Sequence, residues 1–178
     1  DTSTNDSLVI LANGAAGNSP ISLGSKDADT FQRALDELCI YLTKKIARDG
    51  EGATKLIEVQ VHGARSIDDA RAAARTIAGS PLMKSAVYGN DPNWGRMLAA
   101  AGRSGADVDP AVVDAYIGDI VLMKAGQPLP YDAAAAKATM QQENVLLKLH
   151  LHLGDDSATA WGCDLTEEYV HINADYTT

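Results

Sequence analysis

The sequence predicts an α+β fold, a layered sandwich with helices covering mixed β-sheets. Three observations carry the prediction. Stretches of apolar–polar alternation, such as "KLIEVQVHGA", are interleaved with stretches whose apolar residues recur every three to four positions, such as Phe31, Leu35, Leu38, Leu42 and Ile46. Their order reads βαβα and then ββαββ, the mixture expected when helices pack on sheets. Hydrophobic residues make up 46% of the 178 positions but aromatics only 5%, so the core must be built from Ala, Val, Leu and Ile. With no internal repeat and no linker, residues 1–178 read as one unit.

Taken in order, Ser7 to Asn13 has apolar residues on both faces and is expected as a central strand. "GAAGNSPISLGS" is a loop by its Gly, Pro and Ser content. Asp27 to Asp49 is an amphipathic helix that closes with Lys and Arg in its last turns and with Gly50 as a stop. The next strand sets Ile57, Val59 and Val61 against Glu58, Gln60 and His62. "SIDDARAAARTIAGS" opens with Ser66 and Asp69 in capping-box spacing and continues as a helix.

In "GNDPNWGR", Asp91-Pro92 starts a turn and Asn93-Trp94-Gly95 caps a helix beginning near Arg96. The small residues Ala99 to Gly102 let that helix pack closely. Two strands around Gly118-Asp119 form a hairpin, and "DAAAAKATMQQEN" is a helix by propensity. Two further strands are joined at Gly154-Asp155-Asp156.

The net charge of −9, without clustered Lys and Arg, argues against nucleic acid as a partner. No stretch approaches the ~18 apolar residues of a membrane span. Cys39 and Cys163 share no motif spacing and are expected as free thiols of a cytoplasmic protein. The opening "DTSTND" has no initiator Met and leads at once into an apolar run, so the chain is expected to begin within a longer protein.

Few residues point to chemistry. His150 and His152 fall on one strand face with Lys148, but no third metal ligand of fitting spacing is near, and period-two polar residues ordinarily mark the solvent side. "DGEGATK" lacks the phosphate-loop spacing, and Glu51 places a carboxylate where an anion would sit. Glycines on both sides free Glu51 to project into a cleft, where a carboxylate suits an ammonium group; the plainer reading is a stop between helix and strand. Thr2 has the chemistry of an N-terminal nucleophile only if Asp1 is removed. No Ser-His-Asp order or nucleophile elbow is present.

Four blocks in order, "DTSTNDSLVILANG", "DGEGATKLIEVQVHGA", "SPLMKSAVYGNDPNWGRMLAAAG" and "GCDLTEEYVHINADYTT", resemble the ornithine acetyltransferase (glutamate N-acetyltransferase) family over the whole chain. The resemblance implies a fold like that of the self-processing aminopeptidases. It also implies a precursor that cuts itself before a threonine into α and β chains, assembled as α2β2 in the cytoplasm. The new N-terminal threonine takes acetyl from N2-acetylornithine and passes it to glutamate, a recycling step of arginine biosynthesis that needs no cofactor. Bifunctional members also use acetyl-CoA.

By the same resemblance this chain is most of a β chain. The nucleophilic threonine is expected upstream of Asp1, so neither Thr2 nor Thr4 is that residue, and the oxyanion hole belongs to the α chain. Glu51, Asn173 and Thr178 match substrate-binding positions, and Ser3 and Asn5 line the nucleophile's surroundings. "GNDPNWGR" acquires no chemical role from the resemblance; Arg96 is expected to pair with an acidic neighbour, and Trp94 to set a packed turn. The alternatives are an inactive structural or regulatory relative of the same fold, and a related acetyltransferase of another pathway.

Overall fold

The computed structural model describes residues 6–175. Helix α1 (Lys26–Arg48) starts where the Ser25 hydroxyl accepts the Ala28 N–H, carries Asp27 and Asp29 in its first turn, and ends with Lys45 and Arg48, charges that match the helix dipole at both ends. Strand β1 (Leu56–Ala64) follows, then α2 (Ile67–Ala78), α3 (Pro81–Tyr88) and α4 (Trp94–Gly102). Strands β2 (Asp114–Ile117), β3 (Ile120–Lys124) and β4 (Gln127–Pro128) form a meander. Helix α5 (Ala133–Met140), strands β5 (Asn144–His150) and β6 (Asp156–Cys163), and helix α6 (Glu167–Asp175) complete the order.

The expected caps are present: the Ser66 hydroxyl accepts the Asp69 N–H at 3.1 Å and bonds its carboxylate at 2.8 Å. Helix α3 is an addition to the sequence reading. Its signal was Ser80 followed by Pro81, an N-cap and a first-turn proline, in a helix of only 8 residues.

All six strands join one mixed sheet in the order β4-β3-β2-β5-β1-β6. Strand β1 lies one place in from the edge, parallel to β5 (Val59 opposite Leu147) and antiparallel to the edge strand β6 (Val59 opposite Ala160). Thus β5 and β6, consecutive in sequence, do not pair but flank β1.

Ile57, Val59 and Val61 of β1 and Val145, Leu147 and Leu149 of β5 are buried. Against them pack Ala70, Ala73, Ala74 and Ile77 of α2, with Met97, Ala100 and Ala101 of α4. The small side chains let helix and sheet backbones approach closely, and no aromatic residue is among the buried hydrophobics described, as the composition required. Neither Cys39 nor Cys163 is in a disulfide, and the Cys163 sulfur accepts from the buried Lys84 amine at 3.7 Å.

The expected central strand at Ser7–Asn13 is not a strand: the segment joins no sheet, and Leu8, Val9, Ile10 and Leu11 are all more than half exposed. A strand apolar on both faces needs ladders on its edges and cover on both sides, and no described element supplies them. Helix α1 shows the same shortfall, since none of its residues is buried and Phe31, Leu38 and Tyr41 stay exposed.

Candidate functional site

The turn between α1 and β1 is built tightly. Ala53 N–H donates to the Gly50 carbonyl at 2.9 Å, and Arg48 reaches forward to the Ala53 carbonyl at 3.3 Å. Gly52 has φ +65°, the left-handed region that glycine enters without steric cost. Glu51, at the turn's apex, is thereby presented to solvent.

Helix α6 lies against this turn. A Cβ on Gly52 would stand 2.8 Å from the Glu168 Cβ and 2.9 Å from the Tyr169 nitrogen. The Thr166 hydroxyl donates to the Gly52 carbonyl at 2.9 Å and accepts the Tyr169 N–H at 3.2 Å, so one side chain both caps α6 and ties it to the turn.

The packing brings two of the sequence-predicted residues together. Asn173 Nδ2 donates to Glu51 Oε2 at 2.6 Å, across 122 positions, and also to the Tyr169 carbonyl at 2.9 Å. The pair is exposed, and Glu167 and Glu168 add negative charge from the first turn of α6. Glu51 retains acceptor capacity beyond the Asn173 bond, and the Asn173 amide oxygen is a further acceptor. Such an arrangement favours a cationic donor and repels an anion. Thr178, the third predicted contact, lies outside the described residues, as do Thr2, Ser3, Thr4 and Asn5.

Beneath the turn sit groups that the sequence reading did not single out. Asp164 is 3% exposed and its carboxylate accepts the Thr54 N–H (2.8 Å), the Thr54 hydroxyl (2.5 Å) and the Lys55 N–H (2.9 Å). The Lys55 amine, also buried, donates to the Val87 carbonyl at 2.7 Å and to Asn90 Oδ1 at 2.6 Å. Burial pushes that amine below the ordinary lysine value, and the Asp164 carboxylate partly offsets the effect. The available signal was "DLTEE", an Asp two residues ahead of a Thr that opens an acid-rich helix start.

"GNDPNWGR" proves structural in its local contacts. Asn93 Oδ1 caps α4 by accepting the Arg96 N–H at 2.9 Å, and Trp94 packs partly buried against the core. Arg96 does not meet an acidic neighbour: its guanidinium donates to the Leu82 carbonyl at 2.8 Å, which ties α4 to α3. Asn90 takes φ +57°, bending the chain so that its side chain faces Lys55.

The histidines need correction too. Strand β5 ends at His150, and His152 has φ +56°, so the two do not share a regular strand face. The His152 N–H donates to His150 Nδ1 at 3.2 Å, and His152 Nε2 lies 3.0 Å from Asp114 Oδ2. Burial, reinforced by His152 and His62 and opposed by Asp114, holds His150 below the usual imidazole value. Burial pushes Asp114 up, but bonds from Ala125, His152 and Tyr116 outweigh it and hold the carboxyl below its usual range. Among the described residues no His, Cys, Asp and Glu side chains group so as to hold a metal, and no helix is long and apolar enough to cross a membrane.

Comparison with known proteins bears on the family and the fold. The family model described as the ArgJ family matches residues 1–178. The arginine biosynthesis bifunctional protein ArgJ of Symbiobacterium thermophilum is 54% identical over 178 residues, which are 100% of this chain and 44% of that protein. Its counterpart in Geobacillus kaustophilus is 52% identical, covering 100% of this chain and 43% of that protein. The crystal structure of ArgJ from Bacillus halodurans superposes with a TM-score of 0.93 at 46% identity, over 99% of this chain and 83% of that one. The chain therefore spans less than half the length of the curated relatives it matches.

Proposed function

The chain belongs to the ArgJ family, and from that premise we propose that it supplies the substrate-binding part of a glutamate N-acetyltransferase. The enzyme moves acetyl from N2-acetylornithine to glutamate in arginine biosynthesis. The observation that carries this reading is the Glu51–Asn173 hydrogen bond, which joins two positions expected to touch substrate from opposite parts of the sequence.

In the proposed reaction a threonine hydroxyl, outside this chain, attacks the acetyl carbonyl of acetylornithine. The C–N bond breaks, an acetyl ester forms on the threonine, and the threonine's proton leaves on the ornithine amine. The amine of glutamate then attacks the ester, forms N-acetylglutamate and returns a proton to the threonine oxygen. Within this scheme Glu51 accepts the ammonium group of the acetylornithine donor, Asn173 holds the carboxylate in place, and Thr178 adds a contact from the tail. The ammonium gains a charge-assisted hydrogen bond, stronger than a neutral one and strengthened again as the ligand excludes water. No cofactor takes part; acetyl-CoA is at most a second acetyl donor. The partner would be the α chain of the same precursor, in a cytoplasmic α2β2 assembly.

The test uses the complete protein, with acetylornithine labelled in its acetyl group, unlabelled glutamate and no acetyl-CoA. Label should appear in N-acetylglutamate and, in rapidly quenched samples, as a 1:1 adduct on threonine. Absence of both from a folded preparation would refute the assignment.

A further inference from the structure

The ladder between β1 and β6 begins at Leu56 opposite Cys163. Asp164 lies one residue past that ladder, and its carboxylate reaches the two residues, Thr54 and Lys55, that precede it on the other side. The sheet is already closed without these bonds, so what the carboxylate fixes is the exit angle of the 50–54 turn. A carboxylate buried this deeply is costly to desolvate unless its lone pairs are filled, and here three donors fill them. The Asp164 N–H returns a bond to the Lys55 carbonyl at 3.2 Å, while the Lys55 amine anchors the same point sideways to Val87 and Asn90. Two residues on, Thr166 holds the Gly52 carbonyl. Asp164 and Thr166 thus hold the residues that directly follow Glu51, at Thr54–Lys55 and at Gly52, and they lie in the short connection between β6 and α6, the helix that carries Asn173.

We propose that Asp164 and Thr166 are positioning residues of the substrate site, setting the distance and facing of Glu51 and Asn173. Neither touches substrate; both act through the turn. The inference rests on the reading of Glu51 as the ammonium acceptor and adds the device that holds it in register.

The experiment measures kcat and KM for acetylornithine in the complete enzyme carrying Asp164→Ala, Asp164→Asn, Thr166→Ala, Thr166→Ser and Glu51→Gln, with the double variant Asp164→Ala/Glu51→Gln. Misplacing a binding group by about 1 Å costs on the order of 100-fold, so Asp164→Ala should raise KM about 10- to 100-fold with a smaller change in kcat. Asp164→Asn should recover most of the loss, because its Oδ1 can take both backbone N–H groups and its amide can donate to the Thr54 hydroxyl. Thr166→Ser should behave as wild type and Thr166→Ala should raise KM. The double variant should be no worse than Glu51→Gln.

A KM unchanged in Asp164→Ala and Thr166→Ala while Glu51→Gln raises it would overturn the positioning role alone, as would losses that multiply in the double variant. If Asp164→Ala does not fold, the Thr166 pair decides by the same criterion. A wild-type KM in Glu51→Gln would instead remove the substrate reading, and this inference with it.

Discussion

Glu51→Gln in the complete enzyme lowers kcat/KM for acetylornithine by roughly 30- to several-thousand-fold, the equivalent of about 2–5 kcal/mol for truncating one partner of a desolvated charge pair. Gln keeps the length and an acceptor oxygen, so the bond from Asn173 Nδ2 can persist and α6 should remain docked. What is lost is the negative charge facing the ligand. In the chain as it stands Glu51 is exposed, so the full effect requires the bound ligand and its surroundings to exclude water. Steady-state transfer from acetylornithine to glutamate gives the effect, and thermal melting shows that the fold is unchanged. If Glu51 merely ended a helix, Gln would serve as well and kcat/KM would hold.

Gly52→Ala should damage both stability and substrate binding. At φ +65° an L-residue costs about 1–2 kcal/mol in backbone strain alone. The added methyl would also meet the Glu168 Cβ at 2.8 Å and the Tyr169 nitrogen at 2.9 Å, contacts too close to keep. The backbone nitrogen cannot rotate away as a side-chain end could, so the first turn of α6 must shift and carry Asn173 from Glu51. A loss of 1 kcal/mol in a domain of this size lowers Tm by about 2–4 °C, and the strain alone should reach that range. KM for acetylornithine should rise as well, separating this variant from an ordinary destabilised one. Gly102→Ala is the control: it sits in α4 with open space around its Cβ position, and Ala favours helix, so Tm should hold or rise. Equal behaviour of the two would contradict the close packing of turn and helix.

The elements most readable from sequence were those whose signals are local. Period-two burial in Ile57, Val59 and Val61 and the Ser66–Asp69 box each act within a few residues, and both appear in the structure. The Ser7–Asn13 run failed because its pattern specifies burial without specifying what does the burying. Arg96 was misassigned because a guanidinium bonds backbone carbonyls as readily as carboxylates, and the Leu82 carbonyl was supplied by a helix the sequence reading had passed over.

At the site, the glycines around Glu51 were an honest local cue to an exposed carboxylate. The pairing of Asn173 with Glu51 was legible only through the family resemblance, since no periodicity links positions 122 apart. For Asp164 the "DLTEE" signal marks only a helix start: an isolated Asp after a strand reads as solvent-facing, and its burial depends on Thr54 and Lys55 arriving from more than a hundred residues away.

The most direct test is a crystal structure of the complete enzyme with acetylornithine bound, the threonine proposed to accept acetyl being replaced by alanine so that the substrate persists. The account predicts the ammonium nitrogen at about 2.7–2.9 Å from a Glu51 carboxylate oxygen, the spacing of a charge-assisted hydrogen bond, with Asn173 still bonded to Glu51. Acetylornithine seated with its ammonium on another acceptor, and Glu51 engaged only by the protein, would contradict it.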